Sequence, residues 1–239
     1  MGNYLPKGAR AEGPQRVLEG GEIGLRQYML RVYNYMAGGL ALTGVIAYIG
    51  AMSGFYASVA GTPLFWVVLL APLGLVMFLS FRIEGISLGA AQISFWLYAM
   101  LVGLSLSGIF LVYTGESIAR VFFISAATYG AMSIYGYWTR ADLSRFGSFL
   151  FMGLIGIVIA GLVNLFMTST ALQFVVSVIG VLVFTGLTAY DTQRIRDIYI
   201  AGEDDEIAGK KAIMGALALY LDFLNLFLIL MRLFGNRHR

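Results

Sequence analysis

Two aspartates sit in sequence that otherwise suits lipid. Asp222 stands midway along LYLDFLNLFLILMRLFG (219–235), and Asp191 stands in LTAYDTQRIR (187–196), toward the inner end of the preceding apolar run. An ionised carboxylate at the centre of a bilayer costs several kcal/mol unless it is paired or wetted. The two runs are joined by a short polar connection, so they are expected to be antiparallel neighbours whose aspartates can approach each other. Two carboxylates in one low-dielectric pocket cannot both ionise cheaply; they share a proton and titrate as a pair. Such a pair senses pH. It is also a source of oxygen ligands for a hard cation such as calcium, and with one shared proton it carries a single negative charge, which suits passage better than tight binding.

Each residue also has a plainer reading. Asp191 can be an interfacial residue paired with Arg194 one turn on. Asp222 can be a lone protonated acid bonded to Asn225 or to a neighbouring helix. Arg82, in FLSFRIEG (78–85), belongs at the same inner depth as Asp191, either as a snorkelling anchor or as a specific partner of an aspartate. Little else is available for chemistry. The chain has no cysteine, and its one histidine, His238, is the penultimate residue. Thiolate chemistry, zinc sites and histidine-based nucleophiles inside the membrane are therefore excluded.

These residues must be held by membrane-spanning elements. The chain is 59% hydrophobic and 12% charged, outside the range of soluble domains. Continuous apolar runs long enough to cross a hydrocarbon core occupy 29–51, 64–81, 87–113, 118–138, 147–167, 171–193 and 212–234. Lipid admits only helices and closed barrels, and runs without alternation predict a helical bundle. The expected organisation is a mobile cytoplasmic tail over 1–27, a seven-span domain over 28–235 and a short tail over 236–239. The tail has no apolar core of a signal peptide, and the net charge of +3, with no basic run, gives no reason to expect a nucleic-acid partner.

Lysine and arginine collect before span one and in alternate connections, while the connections at 52–63, 113–117 and 167–171 carry none. By the positive-inside rule the N-terminus is cytoplasmic. Seven spans then put the basic end NRHR outside, so either the rule fails there or span seven does not fully cross. Small-residue spacings such as Gly50/Gly54 and Gly156/Ala160 predict close helix packing. The acidic run in AGEDDEIAGKK (201–211) reads as a solvated turn; the alternative is a mouth that concentrates cations.

At AYDTQ, followed by LYLDFLNLFLILMRLFG, the sequence resembles the Bax inhibitor family, also called the transmembrane Bax inhibitor motif family. The likeness covers roughly residues 28 to 235 and is most specific at LYLDFLNLF, with the YD of span six and the arginine closing span two in agreement. The resemblance implies a bacterial-type member in the inner (plasma) membrane, with the last of seven helices enclosed by the others. It also implies a pH-sensitive calcium leak in which Asp191 and Asp222 form a proton-sharing pair and Arg82 is the latch. No acidic residue precedes Arg82 in LLAPLGLVMFLS, so the third carboxylate of some relatives is missing.

No enzymatic activity and no cofactor are expected; calcium is the transported ion, and protons and the lipid bilayer are the other partners. An intramembrane aspartyl protease is disfavoured because YLDF lacks neighbouring glycines and no proline follows Pro72. A retinal-type photoreceptor would need a lysine within span seven, whereas Lys210 and Lys211 stand at its entrance. A proton-coupled calcium exchanger and a non-conducting scaffold that regulates a membrane quality-control protease remain as alternatives.

Overall fold

A computed structural model describes residues 14–238, with side chains described from residue 21. Among the described residues it is built of helices: α1 (Pro14–Met52), α2 (Phe55–Val59), α3 (Pro63–Arg82), α4 (Leu88–Leu106), α5 (Ile109–Val112), α6 (Gly115–Trp138), α7 (Ser144–Met167), α8 (Thr170–Asp197) and α9 (Asp205–Phe234). Seven are long and apolar enough to cross a membrane, α4 and α5 together making the third. The expected seven-helix bundle is the observed one. Three spans, α1, α8 and α9, outrun their apolar runs by a turn or more of polar sequence, and local chemistry explains where the helices start. The side chains of Ser87, Thr114, Ser169 and Asp204 each accept a backbone N–H in the first turn of the helix that follows, satisfying donors that the helix itself leaves free. Proline stands at the first position of α1 and of α3, where its missing N–H is harmless. Thus α1 begins at Pro14, well before the apolar run, and the tail expected to be mobile is helical from there on; residues 1–13 lie outside the described residues.

Helix α9 is the axis of the bundle. It packs against α1, α4, α6 and α8, and two thirds of its most apolar window is buried, against a third or less for every other span. Ala212, Ala216, Leu219, Tyr220 and Leu226 along it are fully enclosed. Helix α3 instead packs chiefly on α4, and α7 on α8; their outward leucine, valine and phenylalanine side chains are the ones lipid would cover. Polar contacts stitch the centre together. Tyr220 hydroxyl meets Thr43 Oγ1 at 2.7 Å, and Thr43 in turn donates to the Ala99 carbonyl at 2.9 Å, joining α9, α1 and α4.

Glycines fix the closest approaches, although not all at the expected places. A Cβ at Gly136 would run into the backbone of Ala189 on α8, and one at Gly103 into Thr43 and Ile46 on α1. Gly50 does meet Ser107, but Gly54 adopts φ 72° in the turn before α2, and Gly156 faces open space. The Gly156/Ala160 spacing therefore marks no helix contact, because α7 lies at the periphery.

Helix α9 runs for 30 residues, about 45 Å at 1.5 Å per residue, and so is long enough to cross fully. Its far end is tied to the connection between α5 and α6. Thr114 N–H donates to the Asn236 carbonyl (3.1 Å), His238 N–H to that of Val112 (3.0 Å), and Asn236 N–H to Ser117 Oγ (2.8 Å). The start of α1 lies at the opposite end, where the Tyr28 and Tyr199 rings pack 5.5 Å apart. The two ends of the described chain thus lie at opposite ends of the bundle, and the length of α9 gives no sign of a span that stops short.

The acidic run is mostly engaged. Glu203 binds Lys211 at 2.6 Å, Glu206 binds Lys210 at 2.9 Å, and Asp204 caps α9. Three of its four carboxylates thus serve the turn itself, in keeping with a solvated turn. In the connection before α7, Asp142 accepts from the Ser144 hydroxyl and N–H. These bonds, the hydroxyl's first, hold its carboxyl below the usual carboxylate range.

Candidate functional site

Asp191 and Asp222 meet inside the bundle. Asp191 lies near the inner end of α8, a turn and a half before the helix stops, and Asp222 lies midway along α9. The two helices pack along much of their length, which brings the carboxyls within side-chain hydrogen-bonding reach of each other. The aspartates therefore share one depth. Asp222 is 5% exposed, while Asp191 is half-buried. Ionised carboxylates only accept hydrogen bonds, so this contact becomes a bond when a proton sits between them. Asp222 Oδ2 has no hydrogen-bond partner among the described residues, which leaves it free to accept that proton or another donor.

The partners expected from simpler readings are not where those readings put them. Asn225 Nδ2 donates to the Leu221 carbonyl of its own helix at 2.8 Å, so Asn225 does not serve Asp222. Arg194 is exposed and acts on Asp191 through its charge, but no salt bridge joins them among the described residues. Arg82 closes α3 with its side chain exposed, and that side chain forms no ion pair or hydrogen bond with a described residue. Because α3 packs chiefly on α4, its inner end is held apart from Asp191. The arginine latch is not made in this arrangement.

Helices α6 and α1 supply residues that the sequence reading missed. Tyr129 on α6 is buried and stands close enough to feel the charge of Asp222, Asp191 and Tyr33. Its hydroxyl donates only to Met36 Sδ, at 3.2 Å, a weak acceptor. One turn further, Ser133 Oγ lies 2.5 Å from the Tyr33 hydroxyl and 3.1 Å from Thr192 Oγ1, the residue after Asp191. The pair is thus bordered by hydroxyls from three helices. A signal was present: Ser117, Ser125, Tyr129 and Ser133 fall on one face of α6 at spacings of four or eight, and all four are buried.

As a metal site the arrangement is sparse. Among the described residues no group of three or more histidine, cysteine or acidic side chains could hold an ion. Two carboxylates supply at most four oxygens, fewer than calcium's usual six to eight ligands, so an ion here would keep much of its water.

Comparison with known proteins finds a family and several relatives. The family described as "Inhibitor of apoptosis-promoting Bax1" matches residues 25–239. An uncharacterized protein of Rickettsia prowazekii is 51% identical over 215 residues, covering 90% of this chain and 91% of that one. The inner membrane protein YbhL of Escherichia coli K12 is 49% identical over 218 residues, covering 90% and 93%. An uncharacterized membrane protein of Streptococcus pyogenes is 34% identical over a similar span.

Proposed function

The chain belongs to the Bax inhibitor family, and from that premise we propose that it is a pH-sensitive calcium leak channel of the bacterial inner membrane, with its N-terminus cytoplasmic. One observation carries the reading: Asp191 and Asp222, on adjacent helices, face each other inside the bundle with no cation among the described residues in ion-pair contact. A carboxyl pair whose charge is set by a shared proton makes local cation affinity a function of pH. With the proton shared, one negative charge is enough to attract a cation and too little to trap it.

Arg82 is the candidate latch. It closes α3, a peripheral span with few ties beyond α4, and an exposed cation at the same end of the bundle as Asp191 can reach it if α3 swings inward. Bonded to Asp191, it closes the inner end. Protonation of the pair removes the charge that holds it, and the path opens.

The test is calcium entry into liposomes containing the purified protein, across pH 5 to 8, for wild type and Asp222→Asn. A pH-dependent flux that the substitution abolishes or makes insensitive to pH supports the leak. Flux that runs only with an imposed proton gradient identifies an exchanger. No flux at any pH from folded protein points to a scaffold, for which a membrane quality-control protease is the partner to try.

A further inference from the structure

Helices α1 and α6 do not pack along each other, and the bundle is open between them. The gap is a cleft of about 990 Å³ running inward from the end that holds the start of α1. Glu22, Arg26 and Arg196 stand at its mouth; Tyr33, Tyr129 and Ser133 close its inner end. From residue 22 to residue 33 of α1 is about 16 Å at 1.5 Å per residue, roughly half of a hydrocarbon core of about 30 Å. The closure is thin. It consists of the Tyr33 hydroxyl against Ser133 Oγ and the Tyr129 hydroxyl on Met36 Sδ. Immediately behind it lie Asp191 and Asp222, whose charges Tyr129 feels.

A cleft between helices at this depth holds either lipid or water. Its inner wall offers three hydroxyls. Tyr33 and Ser133 satisfy each other, but Tyr129 has only the weak acceptor Met36 Sδ, and an acyl chain against it would leave the acceptor side of its oxygen facing hydrocarbon, which costs free energy. Charged groups at the mouth and hydroxyls at the floor anchor the two ends of a chain of water molecules, which along the mostly apolar wall of Ile23, Leu25, Met29, Leu30 and Ile134 is held by its own hydrogen bonds. The wall between them has room: a Cβ added at Gly130 on α6 meets nothing within 4 Å.

We propose that this cleft is a water-filled vestibule, and that protons reach the aspartate pair through it from the N-terminal side, past Tyr129. A hydronium at the floor gives its proton to the Tyr129 oxygen as that hydroxyl's own proton passes to a carboxylate of the pair, leaving a water in the cleft and Tyr129 again a hydroxyl. Arg26 and Arg196 at the mouth are offset by Glu22 and by Asp197, which pairs with Arg196 at 2.8 Å. The hydroxyl closure at the floor can hand on a proton along hydrogen bonds but offers a calcium ion no carboxylate ligand, so the vestibule is a route for protons and not the calcium path. The titratable and charged groups around route and pair are Glu22, Arg26 and Tyr33 from α1, Tyr129 and Tyr137 from α6, and Arg194, Arg196 and Asp197 from α8. Helix α9 contributes Asp222 itself. Only this last step, delivery to the pair, rests on the pH-sensing reading above; the water does not.

The absence of cysteine makes the experiment clean, since any introduced thiol is the only one. Gly130→Cys is placed in the full chain in liposomes and treated with a membrane-impermeant, cationic methanethiosulfonate. Gly156→Cys on α7 is the lipid-facing comparison, equally free of neighbours. The thiolate is the reactive form, and each unit by which hydrocarbon raises a thiol's pKa lowers reactivity about tenfold. The expected result is labelling of Gly130→Cys at least about tenfold faster than Gly156→Cys, and from the N-terminal side alone. Equal rates, or reaction of Gly130→Cys only with a lipid-soluble maleimide, overturn the vestibule. A second readout follows the carboxyl infrared band after a pH jump: blocking Gly130→Cys with the bulky label slows its response several-fold, and an unchanged response overturns the proton route. Neither readout uses calcium, so both stand if the leak fails.

Discussion

The closest backbone approach beside the site is open to a single-methyl test. In Gly136→Ala the new Cβ would sit 2.8 Å from Ala189 Cα and 2.9 Å from its carbonyl carbon, and nearer still to its oxygen. Ordinary contact begins at 3.4 Å, so α6 and α8 must part by at least 3.4 − 2.8 = 0.6 Å. The obstacle is backbone, which cannot turn aside as a side chain can. Over-packing of this kind costs about 1–3 kcal/mol, against which alanine returns up to about 1 kcal/mol of helix propensity over glycine. Gly130→Ala, six residues earlier on the same helix and facing open space, receives the propensity gain without the clash. The two variants should therefore differ by about 1–3 kcal/mol, with Gly130→Ala the more stable. Reversible unfolding in mixed micelles with increasing dodecyl sulfate measures the difference. Because Ala189 lies two residues before Asp191, the same displacement should also disturb the pH profile of calcium flux. If Gly136→Ala proved as stable as Gly130→Ala, the helices would not be in the contact described, and the argument would fail.

Arg82→Ala should leave stability within about 0.5 kcal/mol, because an exposed side chain with no partner among the described residues holds none of them in place; flux whose pH dependence is unchanged in that variant would remove the latch. Tyr220→Phe deletes the hydroxyl that meets Thr43 and should cost about 1 kcal/mol in the same unfolding assay. Asp142 lies in a connection outside the spans, and its depressed titration means that any stability it adds is present above its unfolded value and is lost as the pH falls through its folded one. In Ser144→Ala, which removes the first of the bonds that depress it, NMR should find the Asp142 carboxyl titrating closer to the ordinary carboxylate value.

The seven spans were legible because the apolar runs are continuous and nearly fill the chain after its first segment, and hydropathy reads such runs directly. The pairing of Asp191 with Asp222 was legible from the short connection that forces α8 and α9 together. Helix ends were read less well: α1 starts at Pro14 within polar sequence, where no apolar pattern marks it. The hydroxyl cluster escaped because Tyr33, Ser133 and Thr192 come from three helices far apart in sequence, and no local rule joins them. The position of Arg82 was hidden for a related reason. Its depth follows from its place at the end of a run, but its direction depends on which neighbour α3 packs against, and the sequence is silent on that.

The central position of α9 also sets an order of events during synthesis. The helix around which the others pack is the last to leave the ribosome, so the first six spans enter the membrane before their common core exists. Asp222 then arrives in a segment whose insertion carries a charge-prone residue, a burden of about 3 kcal/mol at the middle of a span. Asp191 and the Tyr129 hydroxyl are already waiting in the bilayer when it does. Assembly of the site and completion of the fold are consequently the same step, and a chain that ends before α9 lacks both.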